Sequence, residues 1–276
     1  MRLDSHQHFW KFNTTDYGWM KSDWPIRRDF LPHDLQPLLQ QHAFDGVIAV
    51  QARQTLEESR WLLKLADENS IIKGVVGWVD LRSETVAEQL AELARQPNFV
   101  GVRHVVQDEP DERFLLRPEF VRGLKELQQF KLTYDLLLFP HQLPSAIDLA
   151  QKLSEQKFVL DHMGKPAIRD GTLDGWREDI RELAKSPNVF CKISGLVTEA
   201  DWGNWKPADF KPYLDTVFEA FGEDRVIYGS DWPVCLLAGD YEAVFSLINN
   251  YAQQLSPCAH SQLFGDNTAT FYGIKS

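Results

Sequence analysis

Along the chain, short apolar runs alternate with longer amphipathic stretches, eight times over. The runs fall at residues 2–9, 46–52, 71–81, 99–106, 132–139, 157–163, 189–196 and 226–234. They are rich in Val, Ile, Leu and Phe, and several are apolar at consecutive positions. A strand reads this way when both its faces are covered, as in a parallel sheet. Between the runs the period lengthens to that of a helix. In 55–70, Trp61, Leu62, Leu65 and Ala66 share one face. In 84–96, Val86, Leu90, Leu93 and Ala94 do so, and in 172–186, Trp176, Ile180, Leu183 and Ala184. Thr55 followed by Glu58 has the spacing of a capping box. Pro97 and Pro187 lie just past two helix ends, where proline stops a helix.

Eight strands with helices between them predict a single-domain (β/α)8 TIM barrel over residues 1–276. The alternative is an open doubly wound sheet. No GxGxxG or GxxxxGK[ST] follows any run, which weakens the nucleotide-binding versions of that alternative. Residues 9–31 form a long, aromatic first loop, and such loops are often lids.

Composition narrows the partners. The 276 residues carry 29 basic and 40 acidic side chains, a net charge of -11. That balance argues against nucleic acid or an anionic membrane surface. Cys191, Cys235 and Cys258 form no CxxC pair, so a reducing, cytoplasmic setting is expected. The first residues lack a signal-peptide core, and no apolar run is long enough to cross a bilayer. A small-molecule ligand is the expected partner, and a homo-oligomer stays open.

In a barrel the chemistry sits at the carboxyl ends of the strands. The first run ends in Asp4-Ser5-His6-Gln7-His8, and i, i+2 positions on a strand face the same way. His6 and His8 therefore point together and could share one metal ion. The sixth run ends in Asp161-His162 and the eighth in Asp231, where alternation allows His162 and Asp231 to project inward. These four groups converge on one rim, and a carboxylate beside imidazoles can bind metal or take a proton from water. Trp78, Asp80, Arg103, His104 and Lys192 are candidates to surround a substrate. Of Arg103 and His104 only one can face the barrel. Tyr134 and Asp135 face opposite ways on the fifth run, and Ser194 shares a face with Lys192. Trp61 and Trp176 read as core. Trp10, Trp19, Trp24, Trp202, Trp205 and Trp232 fall at strand ends, where aromatic faces stack on ring-shaped ligands.

HQHFW, DHMGKP, KISGL, YGSDWPV and the terminal FGDNTATFYGI occur in that order, and together they resemble the amidohydrolase superfamily. More narrowly, they resemble its sugar-lactone hydrolases. The resemblance implies a distorted TIM barrel, with His6, His8, His162 and Asp231 at the metal positions. No lysine or glutamate bridges two metals, because Arg103-His104 stands there. The resemblance therefore implies one divalent ion, zinc first, or a site that works without one. It implies hydrolysis of an aldono-lactone, such as L-fuconolactone or L-rhamnonolactone. Asp231 is the general base and His162 its catalytic partner in that reading. The alternatives are a metal-dependent decarboxylase of an aromatic acid, a pyrone or muconolactone hydrolase, and a non-catalytic sugar-acid binding protein.

Overall fold

The computed structural model describes residues 1–275. Eight strands lie one inside each of the eight apolar runs: β1 (Leu3–Gln7), β2 (Gly46–Val50), β3 (Ile72–Gly77), β4 (Phe99–Val105), β5 (Thr133–Leu137), β6 (Phe158–Leu160), β7 (Val189–Ile193) and β8 (Val226–Tyr228). They pair in sequence order, all parallel. The seam between β8 and β1 is closed by residues just past β8. Asp231 N–H donates to the His6 carbonyl (2.8 Å), and His8 N–H donates to the Trp232 carbonyl (2.7 Å). The structure is thus a (β/α)8 barrel and not the open sheet.

Helices α1 (Pro32–Gln41), α2 (Leu56–Glu68), α3 (Val86–Leu93), α4 (Pro118–Glu126), α5 (Leu143–Lys152), α6 (Trp176–Ala184), α7 (Pro207–Phe221) and α8 (Tyr241–Ala252) follow the successive strands. Two short ones, α9 (Pro257–Ser261) and α10 (Asn267–Tyr272), complete the order. At α2 the Thr55 hydroxyl accepts the Glu58 N–H (3.1 Å). The expected box is only half formed, because the Glu58 carboxylate instead accepts the N–H groups of Ala52 and Arg53. Trp176 is buried and Trp61 half-buried on their helix stripes. No helix among the described residues is long and apolar enough to cross a membrane. The three cysteines are free, Cys191 and Cys235 buried and Cys258 exposed.

Two apolar clusters result. The larger fills the space between strands and helices. The smaller lies inside the barrel, where Ile48, Val50, Val76, Val100, Val159 and Ile227 pack against Phe271 and Tyr272 of α10. That helix plugs the amino-terminal end of the barrel. Alternation then places a polar residue two positions beyond an apolar one on the same face. Val159 is followed by Asp161, and Phe190 by Lys192.

Candidate active site

The polar residues above the apolar floor make contacts that span non-adjacent strands, so their side chains meet in the barrel interior. The His6 imidazole on β1 is fully buried. Its Nε2 lies 3.3 Å from Arg103 Nη1 on β4, and its Nδ1 lies 3.3 Å from Asp161 Oδ1 beyond β6. Arg103 Nη1 donates to Asp161 Oδ2 (3.0 Å), and its Nη2 donates to the Gln51 carbonyl. Lys192 on β7 reaches Asp135 Oδ2 on β5 (2.5 Å) and Asp161 Oδ1 (2.9 Å). Two buried cations thus face two buried carboxylates, which is how buried charge is tolerated.

At the solvent side of this layer, Asp231 Oδ1 lies 3.4 Å from His8 Nε2 and 3.8 Å from His6 Nε2. The side chains of His8 and Asp231 keep 6% and 5% exposure while His6 keeps none, so a ligand meets this edge first. His8 donates its Nδ1–H to the Val50 carbonyl (2.8 Å), which leaves Nε2 as the atom facing Asp231. His162 donates or accepts at Nδ1 with the Ser194 hydroxyl (2.9 Å), and its ring centroid lies 4.5 Å from that of His6.

Close approach explains two glycines. A Cβ on Gly229 would lie 2.5 Å from His6 Cβ, and one on Gly195 (φ +61°) would lie 2.5 Å from His162 Nδ1. Strain concentrates here too. Six non-glycine residues have positive φ among those described, and His162, Met163, Lys165 and Asp231 are four of them. Each such residue costs about 1–3 kcal/mol and is held only by its surroundings.

Burial is the largest influence on most of these groups. It pushes His6 well below the ordinary imidazole range and His162 down to about 4, so both are neutral near pH 7. Burial raises Asp135 to about 6 against the pull of Lys192. Burial would also raise Asp161 and Asp231. For Asp161, Lys192 and His6 outweigh it, and for Asp231 the imidazoles of His162, His8 and His6 do, so both carboxylates stay ionised.

The expected site residues separate into groups. His6, His8 and Asp231 place one donor atom each within 4.8 Å of one another; His162 falls instead with His6 and Asp161 in a second such group. His162 does not arrive by strand alternation, which carries Asp161 inward. The chain turns left-handed at His162 (φ 53°) and Met163 (φ 54°), and that turn brings the imidazole to the rim. Of Arg103 and His104, Arg103 faces the interior. His104 points to the helix layer, stacked on Phe114 at 5.0 Å and bonded to Glu109 (2.8 Å) and Trp78 Nε1 (3.3 Å). Asp80 lies beyond the end of β3 and caps Arg82 N–H (3.1 Å). Lys192, expected to meet substrate, has no exposure and is spent on Asp135 and Asp161. Its charge is answered inside the barrel, next to His6 Nδ1 at 3.1 Å.

Asp161, Gln51, Lys165 and Glu199 were not singled out by sequence reasoning. Asp161 had a signal, its i+2 relation to the apolar Val159. Lys165 and Glu199 approach each other to 3.5 Å at the mouth, and their signal is weak because neither lies on a strand. Above them the first loop folds back, with Trp10 and Phe30 exchanging backbone bonds (3.0 and 2.9 Å). Trp19, Trp24 and Trp202 form an edge-to-face chain, at 6.1 and 5.7 Å between centroids, that joins this loop to the loop after β7. Trp10 and Trp232 are buried, while Trp205 is half-buried and bonds the Ala238 carbonyl (2.7 Å).

An eight-stranded parallel barrel with an HxH pair on its first strand and an aspartate after its last defines a class of barrel in which these groups share one site at the carboxyl end. The chain belongs to the amidohydrolase family, whose model (Amidohydrolase) matches residues 3–274. It is 43% identical over 286 residues to L-fucono-1,5-lactonase of Burkholderia multivorans, covering 99% of this chain and 96% of that protein. It is 38% identical over 278 residues to L-fucono-1,5-lactonase of Burkholderia ambifaria, covering 99% and 96%. A crystal structure of an amidohydrolase from Burkholderia multivorans with bound zinc superposes with a TM-score of 0.96 at 43% identity, over 100% of both chains.

Proposed function

We propose that this protein hydrolyses a sugar lactone, of the L-fucono- or L-rhamnono-lactone kind, to the open sugar acid. The observation that carries the reading is the Asp231 carboxylate, ionised and buried, at the one edge of the donor set that meets solvent. Similarity to two L-fucono-1,5-lactonases along nearly the whole chain supports the substrate class.

The donor set fits a divalent ion. His8 Nε2 is the nitrogen available to ligate because Nδ1 is committed to Val50, and Asp231 Oδ1 lies within 4 Å of both imidazoles. His6, His8 and Asp231 would hold it, and these nitrogen and oxygen donors suit zinc. Such an ion would polarise the lactone carbonyl as a Lewis acid.

The chain's own residues do the rest. Asp231 accepts a proton from the attacking water. The water oxygen bonds to the lactone carbonyl carbon, and the carbonyl oxygen becomes an oxyanion. Arg103, whose cation stands 3.3 Å from His6 Nε2, keeps the positive field of the interior directed at that charge. When the tetrahedral centre collapses, the ring C–O bond breaks and protonated Asp231 returns its proton to the leaving oxygen. His162 is neutral, and its hydrogen bond with Ser194 fixes its orientation beside Asp231. Lys165 and Glu199 at the mouth offer a donor and an acceptor to sugar hydroxyls, and Trp24 and Trp202 offer ring faces. Free cysteines accord with work in the cytoplasm.

Proton release from a panel of aldono-lactones tests the reading. The Asp231→Asn variant should lose about 10²–10⁴ in kcat while still unfolding in one cooperative transition. Turnover at the wild-type rate would remove Asp231 from its role. Carbon dioxide from aromatic acids, with no lactone consumed, would favour a decarboxylase instead.

A further inference from the structure

The buried layer sets up a competition at His6. Nε2 faces Arg103 Nη1 at 3.3 Å, and a guanidinium can only donate, so this contact wants Nε2 bare and the proton on Nδ1. Asp161 Oδ1, 3.3 Å from Nδ1, accepts that proton and favours the same tautomer. Lys192 Nζ pulls the other way. It lies 3.1 Å from Nδ1 and can only donate, which wants Nδ1 bare and the proton on Nε2. A proton on Nε2 would oppose Arg103 and remove the lone pair that His6 presents between Arg103 and Asp231.

Two carboxylates compete with His6 for the Lys192 ammonium, Asp135 Oδ2 at 2.5 Å and Asp161 Oδ1 at 2.9 Å, and Asp135 is the nearer. Asp135 is itself fixed from below. The Tyr272 hydroxyl of α10 donates to the same oxygen at 2.8 Å, and among the described residues it and Lys192 are the only hydrogen-bond partners of the Asp135 carboxylate, since Oδ1 has none. Asp135, Lys192 and His6 have no exposure and Tyr272 has 5%, so water cannot substitute for any member. The chain of contacts runs from the floor of the barrel to the rim.

We propose that Asp135 and Tyr272 are positioning residues that set the tautomer of His6: by drawing on Lys192 they leave the His6 Nδ1–H bonded to Asp161 and keep Nε2 unprotonated, an acceptor on the side that Arg103 and Asp231 share. Neither residue touches substrate. The proposal rests on His6 and Asp231 forming the reacting edge, and it is independent of which lactone is hydrolysed.

The test uses 15N-histidine NMR on the full chain, with the His6 signal assigned by its loss in a His6→Asn sample, together with affinity for zinc alone by chelator competition. The unaltered protein should show His6 protonated at Nδ1. Asp135→Asn removes the nearer of the two carboxylates that bind Lys192 and leaves Asp161, so His6 should shift toward the Nε2-protonated form and zinc affinity should fall about 10- to 100-fold. Tyr272→Phe keeps the ring in its apolar seat and should shift the tautomer partway, which serves if Asp135→Asn does not fold. Adding Lys192→Met to Asp135→Asn removes the rival donor and restores charge balance, so the Nδ1 proton and zinc affinity should both return. A merely structural role for Asp135 would not be rescued by that second substitution. An unchanged His6 tautomer in both Asp135→Asn and Tyr272→Phe, or no recovery in the double variant, overturns the proposal. Absence of lactone turnover in the unaltered protein would overturn the lactonase reading and leave these NMR and zinc readouts standing.

Discussion

Gly229→Ala is a purely steric perturbation of the site, because no charged or hydrogen-bonding side chain is lost. An added Cβ would lie 2.5 Å from His6 Cβ, 3.1 Å from His6 N and 3.1 Å from Ser194 Cβ. Two carbons rest at about 3.5–4.0 Å, so roughly 1 Å must be found. The nearest atoms belong to β1 backbone and to a stiff Cα–Cβ bond, and no flexible side-chain end can swing away. The weakest direction is the β8–β1 seam, held by the Asp231–His6 and His8–Trp232 backbone bonds. Overpacking of this kind costs about 1–3 kcal/mol. Weakening one seam bond adds about 1 kcal/mol. The expected loss of stability is therefore about 2–4 kcal/mol in urea unfolding. His6 would also move by roughly 1 Å relative to Asp231, a misplacement that can cost about 10²-fold in rate. Gly203→Ala is the control, since its Cβ would meet nothing within 4 Å, and it should leave both quantities unchanged. If Gly229→Ala matched the wild-type urea midpoint and lactone turnover, the tight β1–β8 contact would not be what positions His6.

Other consequences follow from the same interior. Asp161→Asn leaves Arg103 and Lys192 facing Asp135 alone, and breaking a buried pair in this way should cost about 3–5 kcal/mol in denaturant unfolding. Because Asp161 is depressed in the folded state, its stabilisation is present above its unfolded value and lost as pH falls, so the variant should lose most of the wild type's acid limb; an unaltered limb would refute this. Glu58 runs in the opposite sense. Burial raises it from 4.5 to about 7, so its contribution is complete below 4.5 and lost as pH rises through about 7. At ~1.4 kcal/mol per pH unit, Glu58→Gln should gain about 3 kcal/mol relative to wild type between pH 4.5 and 8, and a constant difference across that range would count against it. Trp24→Leu removes the link between Trp19 and Trp202, and KM for the lactone should rise about 3- to 10-fold with kcat within about twofold. A fall in kcat alone would show that the loop acts on chemistry and not on binding.

The architecture was legible because a closed parallel barrel forces one pattern on its strands. Both faces are covered, so each strand announces itself as a continuous apolar run, and every strand lies inside the run that predicted it. The site was legible only in part, and for a physical reason. Runs 157–163 and 226–234 are longer than the strands within them, β6 and β8, which each have three residues. The remainder of each run leaves the strand and becomes the site, so alternation stops being a guide where it matters. His162 and Asp231 reach the rim through left-handed backbone that their sequence neighbours do not advertise. Lys192 shows the converse case. Alternation placed it inward as expected, yet inward in a barrel means toward the floor as well as toward the rim. Which of the two applies is set by its partners, Asp135 and Asp161, on β5 and just after β6. A charged residue on an inward face is therefore a sign of an interior ion network first, and of a ligand contact only when its charge is not already answered. By that criterion Asp231, whose near neighbours are imidazoles rather than an ammonium or guanidinium, is the carboxylate whose charge is least answered inside the barrel.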